Sequence, residues 1–292
     1  MTIRTAALIA RHTLPEALAA LTEAAAWLGV HDCTPVIEEE SARQARLETR
    51  WPTVPRAELG RNADIVLAFG GDGTLLGAAS AVAQSAADTP VLGINLGRLG
   101  FLTEVSRAEL VPALEALIAG RFHLETRLLI SGEVERDGRT IASHLALNDI
   151  VVTRGAFSRM IEVDVSIAGR SVCRVQADGL IVATATGSTA YNLSAGGPIV
   201  HPSVDALVLT PIAPHTLTNR PLVLPATTRV TLRPEIAPQA DVVLTFDGQY
   251  GVPLVARDAV HVSRAPRVLR LVRISGRTHF DMLREKLKWG NP

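Results

Sequence analysis

Lysine is nearly missing from this sequence. Among 29 Lys and Arg residues in a chain of 292, only Lys286 and Lys288 are lysines, and both lie close to the C-terminal end. This scarcity excludes a Walker-type phosphate-binding lysine and a Schiff-base lysine anywhere upstream. Any phosphate that the chain binds must therefore be held by backbone N–H groups, by arginine or through a metal ion.

Net charge, cysteine and metal-ligand patterns are also lacking. The 29 basic residues are balanced by 29 acidic ones, so the chain has no basic surplus with which to bind nucleic acid. Its two cysteines, Cys33 and Cys173, form no CxxC pair, and its eight histidines show no HExxH spacing. These absences disfavour a disulfide framework and predict no metal cage built from protein side chains.

The sequence offers no pattern typical of a membrane protein. The apolar run between Arg4 and Arg11 is too short for a secretory signal. The longest stretch without Asp, Glu, Lys or Arg covers residues 179–204 and has the length of a membrane span, but its Gly, Pro, Ser and Thr residues would leave polar groups unsatisfied in hydrocarbon. We therefore predict a cytoplasmic protein with no membrane partner, in which this stretch has another purpose.

The first part of the chain alternates strand and helix patterns. Apolar runs at 3–10, 64–69 and 91–95 predict buried strands, and helical sequence follows the first run to about residue 28 and the second over 75–87. Thr13 to Glu16 and Ser106 to Glu109 have the spacing of capping boxes, which mark helix starts. This alternation is typical of an α/β layer around a parallel sheet.

From about residue 126 the hydrophobic period changes to two. Segments such as 161–167 and 242–246 predict strands, and frequent prolines disfavour long helices. Helical spacing returns at 278–289, with Phe280, Leu283 and Leu287 on one face. We therefore predict an N-terminal Rossmann-like α/β domain and a C-terminal all-β domain of the β-sandwich type. The α/β domain comprises residues 1–125 with 265–292, including a C-terminal helix that returns to it, and the β domain comprises 126–264.

A glycine-rich turn containing an acid follows the second predicted strand. Gly70-Gly71-Asp72-Gly73-Thr74 lets backbone N–H groups approach an anion, and the helix behind it adds a favourable dipole. An ordinary βα turn explains the glycines alone, but a carboxylate would repel phosphate unless it accepts a proton or holds a metal. The turn therefore favours phosphoryl transfer to an alcohol, and the absence of GxGxxG disfavours a dehydrogenase.

Two polar segments indicate a nucleotide ligand. Asn148-Asp149 offers an amide and a carboxylate side by side, which can bind a purine edge and a ribose diol, although an Asx turn is the simpler interpretation of the pair alone. Residues 178–198 combine an apolar strand, small hydroxyl residues, Tyr191 and paired glycines. Small side chains allow a flat ligand to lie on the backbone, and Tyr191 offers a face for stacking.

In order and spacing, these motifs resemble the bacterial NAD kinase family. The resemblance is carried by Gly70-Gly71-Asp72-Gly73, by Asn148-Asp149 and by Thr186-Gly-Ser-Thr-Ala-Tyr191, and it continues through residues 211–217, Arg220-Pro-Leu and Asp247-Gly-Gln249 to the C-terminal residues 280–289. Gly-Gly-Asp-Gly alone is shared with lipid kinases and resembles the phosphofructokinase loop. The segment from Thr186 to Pro198 is the specific part.

The resemblance implies ATP-dependent phosphorylation of the adenosine-ribose 2′-hydroxyl of NAD, which gives NADP. Asp72 would be the general base that takes the hydroxyl proton, and Asn148 and Asp149 would hold adenine and ribose. Tyr191 would stack on the dinucleotide. The further residues for which the resemblance implies contacts with NAD are Gly73, Phe101, Arg159, Gln176, Asp178, Thr189, Ala190, Asn192, Leu193, Ser194 and Gln249.

The sequence departs from the family pattern at two places. Ala185 stands where relatives often carry proline, and Asp149 is one methylene shorter than the usual glutamate. The resemblance also implies a homodimer or homotetramer. Without a P-loop lysine, we expect the triphosphate to bind through the Gly70–Thr74 backbone and a divalent cation such as Mg²⁺, carried mainly by ATP. A lipid kinase with the same loop and a non-catalytic NAD(P)-binding regulator are the alternative functions.

Overall fold

The computed structural model describes residues 2–61, 63–97, 100–155, 160–216, 218–237 and 240–289. The chain forms two compact units. Unit 1 comprises residues 1–126 and 269–292, and unit 2 comprises 127–268. Two long strands, β7 (His123–Arg136) and β18 (Ala259–Arg273), are divided by the unit boundary.

Unit 1 contains six short strands and five helices among its described residues. The strands are β1 (Thr5–Ala10), β2 (Thr34–Glu38), β3 (Thr53–Val54), β4 (Ile65–Gly70), β5 (Val91–Asn95) and β6 (Val105–Ser106). The helices are α1 (Pro15–Gly29), α2 (Glu39–Ala45), α3 (Asp72–Gln84), α4 (Leu110–Ile118) and, near the C-terminus, α6 (His279–Leu287). Short 3₁₀ turns cover Arg56–Glu58 and Arg107–Glu109.

The sheet of unit 1 is parallel, in the order β3-β2-β1-β4-β5. The order reverses between β1 and β4, and in sheets of this kind ligands bind outside the carboxyl ends of the strands at such a switch point. The end of β18 extends the sheet by pairing parallel to β5, through Leu271 and Val91. The central strands β1, β4 and β5 are buried along nearly their whole length, as is usual for parallel strands packed between layers of helices.

The core of unit 1 lies between this sheet and its helices. It includes Leu8, Leu67 and Ile94 from the strands, Leu21 from α1 and Leu114 from α4. The capping box at Ser106 and Glu109 is confirmed. The one expected at Thr13 is wrong, because α1 begins at Pro15 with Leu14 as its cap and no side-chain cap bond. Proline at the first helical position supplies a suitable φ angle and needs no N–H partner.

Unit 2 is built of strands and one short helix, α5 (Tyr191–Ser194), within its described residues. One sheet of six antiparallel strands has the order β14-β13-β12-β9-β16-β17. Its strands are β9 (Asp149–Arg154), β12 (Gly179–Thr184), β13 (Ala206–Ile212), β14 (Leu222–Pro225), β16 (Val242–Phe246) and β17 (Tyr250–Leu254). The remaining strands of the unit are β8 (Arg139–Ala146), β10 (Ile161–Ile167), β11 (Arg170–Ala177) and β15 (Val230–Glu235).

The core of unit 2 is formed by inward-facing side chains of two sheets. Val163 and Leu232, from the antiparallel set β11-β10-β15-β18, join Leu180, Val182 and Leu244 from the six-stranded sheet in one buried cluster. This packing is that of a β-sandwich. The predicted fold class, an α/β domain with a separate antiparallel β domain, is confirmed.

The C-terminal helix lies at the predicted position, and two of the three residues predicted to share one face are shielded from solvent, Leu283 fully and Leu287 partly. α6 carries a capping box between Thr278 and Asp281, and Met282 and Leu283 are its buried residues. Phe280, expected on the apolar face, is 61% exposed. No helix among the described residues is both long and apolar enough to cross a membrane.

Candidate active site

Asp72 is the first residue of α3, directly beyond the end of β4. Gly71 precedes it in an extended conformation, with φ −101° and ψ −169°, and serves as the N-cap. Gly70 is required by close packing, since a Cβ there would lie 2.3 Å from Thr74 Oγ1. The carboxylate thus starts a 13-residue helix at the switch point of the parallel sheet, where the helix dipole favours negative charge.

Four hydrogen bonds hold the Asp72 carboxylate, all donated by the segment that follows β5. Oδ2 accepts the backbone N–H of Phe101 at 2.7 Å. Oδ1 accepts the N–H of Leu102 at 3.1 Å, together with the N–H and the hydroxyl of Thr103 at 3.0 Å each. A carboxylate oxygen has about two lone-pair positions. Oδ1 is therefore saturated, whereas Oδ2 retains room for one further donor.

Gly100 makes this arrangement possible. A Cβ at residue 100 would lie 1.8 Å from Asp72 Oδ1 and 2.4 Å from Thr103 Oγ1. The backbone therefore approaches Asp72 more closely than any residue with a side chain permits. By contrast, a Cβ at Gly71 or Gly73 would meet nothing within 4 Å, so there is open space in front of the turn.

Asn95 lies beside this turn at the end of β5. It is the register partner of Gly70 and is only 3% exposed. Its Oδ1 accepts the N–H of Gly97 at 3.1 Å, but its buried Nδ2 has no hydrogen-bond partner among the described residues. An unsatisfied buried donor next to a helix N-terminus is available to an anionic ligand.

The segment that holds Asp72 is itself fixed by the end of β18. Arg273 donates to the Leu102 carbonyl at 3.2 Å, to Glu104 at 3.3 Å and to Glu125 at 2.7 Å. Glu104, only 3% exposed, also accepts the backbone N–H groups of Ile274 and Ser275. One side of the segment therefore binds Asp72 while the other is tied to β18.

In unit 2, the turn Leu147–Asp149 joins β8 to β9, and its backbone groups are bonded on all sides. Asp247 accepts all three N–H groups, from Leu147 at 2.8 Å, from Asn148 at 2.7 Å and from Asp149 at 3.0 Å. Thr184 donates its hydroxyl to the Leu147 carbonyl at 2.6 Å and its N–H to the Asn148 carbonyl at 2.8 Å. The N–H of Asp247 bonds the Asp149 carbonyl at 2.9 Å, which completes the set.

The side chains of Asn148 and Asp149 are both buried in unit 2. Asn148 is 8% exposed, and its buried Oδ1 lacks a hydrogen-bond donor among the described residues. Asp149 is 5% exposed, and burial, together with the charge of Asp247, raises its pKa to about 7. A buried acceptor without a donor and a carboxyl with a strongly raised pKa both indicate a place where a ligand binds.

The small-residue segment predicted to line a ligand begins where β12 ends beside this turn. A Cβ at Gly187 would lie 2.1 Å from the Asn148 carbonyl oxygen, so the two backbones are in direct contact. Thr184 also accepts the N–H of Gly187, which fixes the following 3₁₀ turn at Gly187–Thr189. Tyr191, at the start of α5, is 45% exposed and presents its ring.

Asn192 has its side chain fully occupied inside unit 2. It is 0% exposed, donates from Nδ2 to the carbonyls of Ser188 and Pro198, and accepts the hydroxyl of Thr210 at 2.6 Å. These bonds fix α5 against β13. The sequence-based assignment of Asn192 to the dinucleotide stays a prediction, and the side chain itself supports the loop.

The other predicted site residues are distributed over both units. Phe101 lies in the segment that binds Asp72, and Lys286 Nζ lies 5.9 Å from the centre of its ring. Asp178, after β11, binds Arg154 Nε at 2.6 Å. The remaining residues are Gln176 on β11, the partly exposed Thr189, Ala190 and Leu193, and the exposed Gly73, Ser194 and Gln249. Arg159 lies outside the described residues.

Several residues of the site were not predicted from the sequence. Thr103 donates a hydrogen bond to Asp72, and Gly100 leaves room for the Asp72 carboxylate. Asn95 adds a buried donor. Thr184 and Asp247 hold the Leu147–Asp149 turn. Of these, Asp247 alone stands in a motif that carries the family resemblance, Asp247-Gly-Gln249, although only Gln249 was given a role. An Asp-Gly pair between two strands is also typical of a tight turn. The part of the chain that the structure describes contains no group of three or more His, Cys, Asp or Glu side chains able to hold a metal ion.

Comparison with known proteins gives matches along nearly the whole chain. Residues 7–122 match the family model of the ATP-NAD kinase N-terminal domain, and residues 147–274 match that of the ATP-NAD kinase C-terminal domain. An NAD kinase of Citrifermentans bemidjiense is 44% identical over 276 residues, which cover 94% of this chain and 95% of the relative.

Two solved structures have the same fold. A yeast NADH kinase complexed with NADH superposes with a TM-score of 0.88 at 26% identity, covering 100% of this chain and 89% of the other. An NAD kinase from Archaeoglobus fulgidus in complex with ATP gives a TM-score of 0.74 at 26% identity, covering 97% of this chain and 98% of the other.

Proposed function

We propose, because this chain belongs to the ATP-NAD kinase family, that Asp72 and the Leu147–Asp149 turn are the groups with which it carries out the family's reaction. That reaction is ATP-dependent phosphorylation of NAD to NADP, as the sequence predicted. Family membership rests on the two domain models and on identities above 40% over most of the chain. The assignment of roles to residues rests on the hydrogen bonds around Asp72, which supply a fixed carboxylate at a turn suited to phosphate.

We assign Asp72 Oδ2 as the atom that accepts the proton of the 2′-hydroxyl. The 2′-hydroxyl oxygen of NAD attacks the γ-phosphorus of ATP in line with the departing ADP, and the hydroxyl proton passes to Oδ2. Oδ1, with three donors, keeps the carboxylate in place throughout. Because little covalent work is needed in phosphoryl transfer, fixing the base and the hydroxyl is the main contribution of these residues.

The adenosine end of NAD is assigned to the turn in unit 2. The unpartnered Asn148 Oδ1 suits the exocyclic amino group of adenine, which is a donor, and ionised Asp149 suits ribose hydroxyls. The exposed ring of Tyr191 supplies a stacking face. Gly73, Phe101, Arg159, Gln176, Asp178, Thr189, Ala190, Asn192, Leu193, Ser194 and Gln249 remain proposed contacts, on the family resemblance.

The phosphates are assigned to backbone and amide donors. The open space at Gly71 and Gly73 and the buried Nδ2 of Asn95 supply N–H groups and room for them at the start of α3. A divalent cation, Mg²⁺ in our proposal, would arrive on the phosphates of ATP and neutralise the charge that develops there. The sequence is consistent with this arrangement because no lysine precedes Lys286, so phosphate binding near Asp72 falls to other donors.

The lipid-kinase alternative shares only the Gly-Gly-Asp-Gly turn, whereas the family match extends through residues 147–274. A non-catalytic regulator needs no fixed carboxylate at that turn, so the four bonds to Asp72 argue against it. One assay separates the three functions. Purified protein is incubated with ATP, Mg²⁺ and NAD, and NADP is detected enzymatically; a parallel reaction contains diacylglycerol. We expect NADP and no phospholipid, and a blank NADP reading would refute the proposal.

The role of Asp72 is tested with Asp72→Asn. Asparagine keeps the size but cannot take the proton, so kcat should fall at least 100-fold, which is the lower end of the roughly 100- to 10,000-fold range for loss of a general base. The Kd for NAD, measured by calorimetry, should change less than threefold, because asparagine keeps an acceptor oxygen for the 2′-hydroxyl and the other proposed adenosine contacts lie in unit 2. A variant with near-normal kcat would show that another group accepts the proton.

We also propose a homodimer or homotetramer and a cytoplasmic location, as the sequence predicted. An oligomer is supported by β14, an edge strand of the six-stranded sheet on which Val223 is 55% exposed, because an unprotected edge can pair with a second copy. The location is supported by Cys33 and Cys173, both of which are free thiols. Sedimentation velocity and cell fractionation test the two proposals.

A further inference from the structure

The three N–H groups of the Leu147–Asp149 turn converge on one side chain from a distant part of the chain. Asp247 lies about a hundred positions later, in the hairpin loop between β16 and β17, and its two oxygens accept all three bonds at 2.7 to 3.0 Å. Three N–H donors on one carboxylate form a small anion-binding nest made by the protein for its own side chain. The path of this turn therefore depends on Asp247.

The hairpin delivers Asp247 through an uncommon backbone conformation. Asp247 has φ 52° and the following Gly248 has φ 61°, so both lie in the left-handed region. Aspartate and asparagine enter this region more easily than other residues with side chains. A loop of Asp-Gly-Gln thus turns the carboxylate toward β9 while the N–H of Asp247 bonds the Asp149 carbonyl.

The turn that Asp247 holds carries two buried polar side chains, Asn148 and Asp149. Its Asn148 Oδ1 has no donor among the described residues, and its Asp149 is 5% exposed. Such groups are costly in the free protein and become satisfied only when a ligand supplies partners. Displacing the turn by even 1 Å would misplace both groups relative to that ligand.

We propose that Asp247 is a positioning residue that sets the selectivity of the site for an adenine ring. This inference rests on the proposed function, in which Asn148 and Asp149 bind the adenosine of NAD. Asp247 touches no substrate. It fixes the turn so that Asn148 Oδ1 accepts the exocyclic amino group, a donor that hypoxanthine lacks because it has a carbonyl at that place. A site built around such a bond rejects an analogue that cannot make it.

The test is Asp247→Asn, which tolerates the left-handed conformation but replaces one acceptor with an NH₂ group facing an N–H. NAD and its hypoxanthine analogue are compared as substrates. The parent should prefer NAD by at least 100-fold in kcat/KM, and the variant should lose at least tenfold of that preference. KM for NAD should rise about tenfold, while kcat at saturating NAD and KM for ATP change less than threefold.

The matched control is Asp258→Asn in the same unit. Asp258, at 1% exposure, also accepts a backbone N–H, from Val255 at 2.9 Å, beside its ion pair with Arg136. If loosening any carboxylate that accepts backbone N–H groups erodes selectivity, both variants will show it and the inference fails. Selectivity lost in Asp247→Asn alone supports the inference, and unchanged selectivity in Asp247→Asn overturns it.

The pH dependence of KM for NAD distinguishes a positioning role from a general loosening of the fold, because loosening alone would not shift it. Asp247 is the charged neighbour that helps to raise the pKa of Asp149 to about 7, and β12, on the other side of β9, carries no titratable residue. KM for NAD should fall as pH rises through about 7 in the parent, since ionised Asp149 accepts ribose hydroxyls. In Asp247→Asn that change should move to lower pH, and an unmoved profile contradicts the inference.

Two further measurements keep the outcomes distinct. If the parent protein makes no NADP, the proposed function is refuted, together with the inference that rests on it. If Asp247→Asn does not fold, as judged by circular dichroism, Thr184→Val replaces it, because Thr184 holds the same turn through the Leu147 carbonyl. Its selectivity for NAD must also fall at least threefold, and a parent-like value overturns the inference.

Discussion

Gly100 is the residue on which the geometry of Asp72 depends most directly. Its Cα approaches the carboxylate so closely that a Cβ would lie 1.8 Å from Oδ1, far inside any allowed contact. Relief of this clash requires either the carboxylate or the Gly100–Thr103 backbone to move. Either movement breaks some of the four hydrogen bonds that fix Asp72.

We therefore expect Gly100→Ala to lower kcat at least 100-fold, because a base displaced by about 1 Å no longer reaches the hydroxyl. Gly276→Ala is the matched control in the same unit, since a Cβ there meets nothing within 4 Å. Rates of NADP formation are measured for both. Similar rates in Gly100→Ala and Gly276→Ala would mean that Asp72 does not need its observed position.

For individual residues, the sequence predicted those with chemical roles but not those that hold them in position. Asp72, Asn148 and Asp149 stand in short motifs that can be read locally. The donors of Asp72 come from residues 29 to 31 positions later, and the acceptor for the turn at Asn148 comes from about 100 positions later. No periodicity or spacing predicts pairings of that range; only the folded chain shows them.

Among the secondary-structure elements, β5 lies where the apolar pattern predicts it, at 91–95, and β10 and β16 likewise match 161–167 and 242–246. Helix α3 was expected to begin at Leu75 but begins at Asp72. Asp, Gly and Thr are weak helix formers, which hid the first turn. An acid at the first position is nevertheless favoured by the helix dipole, and it places the carboxylate on a rigid element.

The contact between β18 and the segment after β5 is the element-scale feature that supports Asp72. Arg273 and Glu104 form an ion pair whose side chains are only 12% and 4% exposed. Removing one partner of a buried pair leaves the other charge uncompensated, at a cost of roughly 3 kcal/mol. Arg273→Met should therefore lower Tm by about 6 to 12 °C.

The control for Arg273→Met is Arg43→Met, in the same unit. Arg43 pairs with Glu40, but its side chain is 65% exposed, and solvent screens such pairs so that they contribute little to stability. Thermal unfolding is followed by circular dichroism for both variants. If the two variants have the same Tm, the Arg273 network does not stabilise unit 1 as its burial indicates.

The stability of the whole molecule should depend on pH through Asp149. Its pKa is raised from 3.8 to about 7 by burial and by the charge of Asp247, so the folded protein holds this proton more tightly than the unfolded chain. The folded state then binds more protons between about pH 4 and pH 7, and stability falls as pH rises through that range. Above about pH 7 the penalty is complete and stays constant.

Asp149→Asn removes the penalty, because an amide carries no charge at any of these pH values. Its Tm should equal that of the parent near pH 4, exceed it increasingly up to pH 7 and stay a few degrees higher at pH 8. KM for NAD should nevertheless rise, because an acceptor for ribose is lost. Asp205→Asn is the control, since Asp205 has a side chain 67% exposed. A Tm difference for Asp149→Asn that is the same at pH 5 and pH 8 would mean that Asp149 titrates normally, and the site would then lose the buried charge that we infer NAD to satisfy.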